Sequence, residues 1–181
     1  MKTHHLTLSF ALTLFACDGG DANDDATTES SDGADSGGSD VDEAAVQAVL
    51  DSFPEGFDRI SAMPYPSQGH AAAVDVHVWV QELGAEAYGG VDPDSSGSNP
   101  AIPRGLVLIK EQFDNAGAVT GHTVMVKGPA GYASETGDWW WGFAGADKQL
   151  SNSGQIQFCI DCHAARPDDD WLYGVELDNR N

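Results

Sequence analysis

The chain has 181 residues, 29 Asp plus Glu against eight Lys plus Arg, and a formal net charge of −21 at neutral pH. That length accommodates one domain with extensions. A chain this acidic repels a phosphate backbone, which excludes nucleic acid as a partner and suits a protein that resists non-specific association.

The N-terminus places Lys2, His4 and His5 ahead of an apolar run over residues 6–16. A short apolar core after a basic start is the pattern of an export signal, and it is too short to span a bilayer as a helix. Leu14-Phe15-Ala16-Cys17 resembles a bacterial lipobox, in which the cysteine is lipidated and becomes the first residue of the mature chain, although Phe15 is atypical there. The other reading is an ordinary secretory signal, with Cys17 left free or removed. Residues 1–17 are thus expected to be a lipoprotein signal, and the protein to be exported to the periplasm or outer surface of a bacterium.

Residues 18–43 hold ten Asp plus Glu, no Lys or Arg and almost nothing apolar. Such a segment cannot bury enough surface to offset its ordering entropy, so the expectation is a disordered, self-repelling tether. Residues 44–181 form the expected folded domain, itself acidic with 19 acids against seven Lys plus Arg.

In residues 42–53, Val46, Val49, Leu50 and Phe53 recur at helical spacing behind an acidic first turn, and Pro54 follows. Over residues 71–81, Val74, Val76, Val78 and Val80 alternate with Asp75, His77 and Trp79, which predicts a strand. Residues 88–104 are rich in Gly, Pro and Ser and predict a long surface loop. Residues 105–113 and 121–128 read as two more strands, joined through an Asn- and Gly-containing connection that suits a hairpin. A fourth strand is expected over residues 138–144, whose Trp139, Trp140, Trp141 and Phe143 offer aromatic surface to a core or a bound macrocycle. No internal repeat is visible. The fold class these elements predict is α+β: a mainly antiparallel β-sheet with a few helices, and the last motif on a C-terminal helix packed against it.

That motif is Cys159-Ile160-Asp161-Cys162-His163, the Cys-x-x-Cys-His pattern of c-type haem attachment. One helical turn lets both sulfurs reach the porphyrin edge while the adjacent imidazole meets the iron. Zinc would need a second pair of ligands, and a thioredoxin-like redox site would need a βαβ setting; the sequence offers neither. One covalent haem c is therefore expected, with Cys159 and Cys162 as attachment points and His163 as the iron ligand. No Met, His or Lys follows His163. A sixth ligand would have to come from Met63, His70, His77, His122, Met125 or a lysine upstream. The four-helix cytochromes c′ also carry a late motif, but the valine alternation and the 21 glycines argue against a helical bundle.

The succession of residues 103–113, residues 124–141 and residues 159–174 resembles the cytochrome P-460 family, including its β-sheet relatives, the cytochromes c′-β. The resemblance spans roughly residues 74–175. It rests on the Gly-x-hydrophobic-Lys-Glu strand, the Gly-Asp-Trp turn, and the haem motif followed by an Asp-aromatic-hydrophobic element at Asp170. It implies an exported mono-haem protein, often a homodimer, with a mainly antiparallel fold. It further implies that Lys110 occupies the position of a lysine bonded to the macrocycle in the P-460 proteins proper; the other reading is a solvated lysine on an edge strand. In hydroxylamine-oxidising members a carboxylate lies above the iron as a proton relay, and the matching position here is Thr123. A threonine hydroxyl can hydrogen-bond a ligand but is a poor base, which argues against that oxidation. Met125 should share the face of Thr123, and His122 should point away as a surface or packing residue.

Three functions stand on this reading. One is an oxidoreductase acting on hydroxylamine or nitric oxide, with Lys110 and Thr123 as candidate catalytic residues. The second is a non-catalytic binder of nitric oxide or carbon monoxide, and the third an electron-transfer cytochrome with a sixth ligand from upstream. Each implies an electron-transfer partner or a small-molecule ligand, and contact with the membrane only through the lipid anchor.

Overall fold

A computed structural model describes residues 40–181, apart from residues 68, 71, 72 and 74. The export signal, Cys17 and all but the last four residues of the acidic segment 18–43 lie outside the described residues, as does Val74.

Helix α1 (Glu43–Ser52) forms where the apolar spacing places it. The Asp42 carboxylate accepts from the backbone of Ala44 at 2.9 Å and Ala45 at 3.2 Å, a cap worth about 1 kcal/mol. Val46, Leu50 and Phe53 point inward onto the sheet. The strands are β1 (Phe57–Arg59), β2 (Tyr65–Pro66), β3 (Asp75–Gln81), β4 (Val107–Phe113), β5 (Val119–Lys127), β6 (Trp139–Gly145) and β7 (Leu150–Gly154), with a short helix α2 (Ala85–Gly89) after β3. Helix α3 (Gln157–His163) follows β7 and carries Cys159, Cys162 and His163.

All pairings are antiparallel, in the order β1-β3-β4-β5-β6-β7, with β2 beside β1 along the same edge of β3. The fold is therefore α+β, a mainly antiparallel seven-stranded sheet with a few helices. The connection after β4 is held by Asp114, whose carboxylate accepts from Ala116 at 2.8 Å and Ala118 at 2.9 Å, with Gly117 in the left-handed region at φ 77°.

Register decides which residues share a face. Val78, Lys110, Thr123 and Phe143 pair successively across β3, β4, β5 and β6, so they form one row on one face. Val80, Leu108, Met125 and Trp141 form the next row on that face. Their neighbours in sequence, among them Trp79, Ile109, Val124 and Trp140, lie on the other face under α1. Both faces are covered, which is why three consecutive tryptophans are all buried.

The structure departs from expectation mainly in short elements. Strand β7, α2, β1 and β2 carry no clear period. The fourth-strand prediction matches β6, and the fifth strand starts at Val119 rather than 121.

Candidate functional site

Helix α3 lies over the face that carries the Lys110 row, and a pocket opens between them. Cys159, Cys162 and His163 line one side; Lys110, Thr123, Met125 and Phe143 line the sheet side; His70, Phe158 and Tyr173 stand around it. Its enclosed volume is about 50 Å³, below the ~300–1,000 Å³ of small-molecule sites, so side chains fill most of the space between helix and sheet. Cys159 and Cys162 are three apart on the helix and His163 is four from Cys159, so one side of α3 presents all three.

His163 is buried, and its Nδ1 lies 2.5 Å from the carbonyl oxygen of Trp171. A carbonyl only accepts, so Nδ1 carries the hydrogen and Nε2 is the nitrogen left with a free lone pair. Burial, and second the Lys110 ammonium, push His163 down to about 4, against the raising effect of the Trp171 hydrogen bond. The ring is therefore a neutral imidazole at neutral pH, the form that ligates metals. Tyr173 packs edge-on against it at 5.4 Å between ring centres and donates its hydroxyl to the Cys162 carbonyl at 2.8 Å. Trp141 approaches from the sheet at 6.4 Å.

The thiols are free, Cys159 half-buried and Cys162 exposed. Burial, then the neighbouring Cys162, push Cys159 up to about 11. That is the reverse of a reactive redox pair, whose lead cysteine is held low as thiolate.

Lys110 lies on a strand with partners on both sides, β3 and β5, so it is not an edge lysine. Its Nζ donates to Ser67 Oγ at 3.4 Å, and burial pushes the amine down to about 8 while Cys162 works the other way. Lys110 and Thr123 are direct register partners. Among the described residues lining the pocket there is no carboxylate.

Of the sixth-ligand candidates, His70 and Met125 line the pocket. His70 Nδ1 is 3.1 Å from Ser67 Oγ, so that one hydroxyl contacts both His70 and Lys110. Met63 is 66% exposed and lies away from the pocket. His77 and His122 are on the α1 side: His77 bonds Ser61 Oγ at 2.9 Å, and buried His122 bonds the Gly145 carbonyl at 3.0 Å and packs against Phe53. His122 is thus a packing histidine.

Sequence reasoning missed the turn that supplies the carbonyl to His163. After the short 3-10 turn Pro167–Asp169, both Asp170 (φ 52°) and Trp171 (φ 64°) are left-handed. Asp tolerates this; for a bulky tryptophan it costs on the order of 1–3 kcal/mol, so the surroundings must hold it. Fully buried Asp169 accepts from the backbone of Gly97 at 2.9 Å and Ser98 at 2.7 Å, Trp139 Nε1 donates to the Asp170 carbonyl at 2.8 Å, and Lys127 pairs with the Asp170 carboxylate. A lysine at an inward position of β5 was the available signal. Also unforeseen, among the described residues, are two buried N–H groups without a partner among them, Gln112 Nε2 and Trp141 Nε1. Their residues sit on the pocket-facing side of the sheet, one row to each side of the Lys110 row. Each costs about 1–3 kcal/mol unless an acceptor arrives.

Among the described residues no group of three or more His, Cys, Asp or Glu could hold a metal ion. No protein-family model matches the chain, and no curated protein matches it.

Proposed function

We propose that the chain is an exported c-type haem protein of the cytochrome P-460 kind, binding small nitrogen species such as nitric oxide at a five-coordinate haem. The observation that carries the reading is the facing of two sets across one pocket: Cys159, Cys162 and His163 on α3, Lys110 and Thr123 on the sheet. The residues fit the group. Porphyrin brings four nitrogens of its own, so a single neutral imidazole is enough and no multi-ligand site is needed. His163 has its Nδ1 hydrogen committed and Nε2 available, the arrangement of a metal-ligating histidine. Burial keeps the Cys159 thiol protonated, and Cys162 lies three residues further along the same helix.

When bound, haem would supply an iron able to take a diatomic or small nitrogen ligand. The protein's own share would be to hold that iron through His163, line the pocket with Phe143 and Met125, and offer the Thr123 hydroxyl to a ligand. Lys110 would bring a partly deprotonated amine to the same pocket. With no carboxylate among the described lining residues, the proton relay of the hydroxylamine-oxidising relatives has no counterpart at Thr123, which favours binding over oxidation. A second reading, an electron-transfer cytochrome, is favoured by one observation: His70 and Met125 both line the pocket.

The test is a visible spectrum of ferric and ferrous protein, together with the mass of the chain after acid-acetone extraction. A chain heavier by one haem with a high-spin spectrum supports the proposal. Haem that extracts freely rejects it, and a low-spin ferrous spectrum transfers support to the electron-transfer reading.

A further inference from the structure

We infer that Lys127 is a positioning residue for His163, acting through the Asp170–Trp171 turn; this rests on the haem reading above. The hydrogen bond from His163 Nδ1 ends on a carbonyl that α3 does not position. It belongs to Trp171, eight residues further on, behind two successive left-handed residues. A tryptophan does not keep that conformation unaided, so the carbonyl stays in place only while contacts from elsewhere hold the turn.

Asp169 ties the turn to the loop at residues 97 and 98, and Trp139 ties the Asp170 carbonyl to β6. Lys127 ties the Asp170 side chain to β5, the strand that brings Thr123 and Met125 to the pocket. Its side chain is only 7% exposed, and its remaining contacts converge on the same place: Nζ donates to the Gly137 carbonyl at 2.8 Å and lies 4.9 Å from the centre of the Trp139 ring. Gly137 is an independent sign of how closely the turn is held. A Cβ there would meet Trp171 Cδ1 at 2.8 Å and Asp170 Oδ1 at 3.3 Å, so no side chain fits between. The acceptor for the proximal imidazole is therefore referenced to the sheet and not to the helix that carries the imidazole.

A hydrogen bond from Nδ1 to a carbonyl makes the imidazole a more basic ligand, which favours ferric over ferrous iron. Releasing the turn weakens that bond. In the full haem-loaded chain, Lys127→Met should lower the iron–histidine stretching frequency in the ferrous resonance Raman spectrum and raise the midpoint potential. A tenfold change in relative affinity for the two oxidation states corresponds to about 59 mV for one electron, and outer-shell losses are typically about 10–100-fold. Asp170→Asn, which keeps an acceptor but loses the charge, should move both quantities less and in the same direction, and it decides the matter if Lys127→Met does not mature. Arg104→Gln removes the nearby Arg104–Asp138 pair and should move neither. Haem-loaded variants with wild-type frequency and potential overturn the inference alone. Arg104→Gln matching Lys127→Met also overturns it, since the effect would then be general loosening. A wild-type chain without covalent haem overturns both this inference and the function it rests on.

Discussion

The two faces of the sheet are built from the same strands and differ sharply in what they bury. Under α1 the packing is Val46, Leu50 and Phe53 against Val107, Ile109, Val124, Val126 and Trp140, and buried His122 and His77 have partners in the Gly145 carbonyl and the Ser61 hydroxyl. Under α3 the sheet presents Lys110, Thr123 and Lys127, two N–H groups lack partners among the described residues, and a left-handed tryptophan is held in place. On the first face the packing is mostly apolar, and the buried histidines have their hydrogen-bond partners. Unpartnered polar groups and a strained turn cost stability, and under the proposed function they mark the face where the chemistry would reside.

That division can be attacked directly. The largest effect should come from Thr123→Glu, which puts a carboxylate beside Lys110 on the pocket side. If the haem reading holds, hydroxylamine oxidation should rise by about 10²–10⁴-fold, the usual worth of a positioned general base, while nitric oxide still binds. A companion Lys110→Ala spectrum reads the amine: a Soret band that shifts marks a bond to the macrocycle, and an unmoved band with an inert Thr123→Glu leaves a plain gas binder. Next, Leu50→Ala on the α1 face should cost about 2–5 kcal/mol in thermal or denaturant unfolding and leave the visible spectrum unchanged. An altered spectrum would mean that the faces are not independent.

The smallest effect concerns pH. Burial, and then Arg59, hold His77 below its ordinary value, against Glu111 and the Ser61 contact. A histidine depressed in the folded state takes up its proton more readily when unfolded. Its share of stability is therefore present above the unfolded value of about 6.5 and is lost as pH falls below it. His77→Gln should flatten the decline in melting temperature just below that pH; an unaltered slope would remove His77 from the account.

Much of this was legible in the chain. Helix α1 was visible because its apolar spacing and its acidic start agree, and β3 because valines at every second position leave no other period. The Cys-x-x-Cys-His motif stood out because two thiols and an imidazole at that spacing have few uses, and the structure brings all three to one side of α3. What escaped depended on register and backbone. Strand β7 is Leu-Ser-Asn-Ser-Gly, with no alternation, and exists through its pairing with β6. That Lys110 and Thr123 are partners follows from a hairpin whose register shifts between Gln112 and Phe113, which residue types do not reveal. Ser67 and His70 reach the pocket from irregular chain. The acceptor for His163 is a main-chain oxygen, and every residue has one.

The order of the elements sets a race. Strands β4 to β7 are consecutive neighbours joined by short connections, so the sheet side of the pocket can assemble through local closure, fast and without α3. The thiols come after it in the sequence. Any attachment of a large planar group at Cys159 and Cys162 thus competes with docking of α3 onto a sheet already formed. A chaperone that keeps the segment from Gln157 onward undocked would favour the modified product, whereas a chain that docks first would close the pocket around its own side chains.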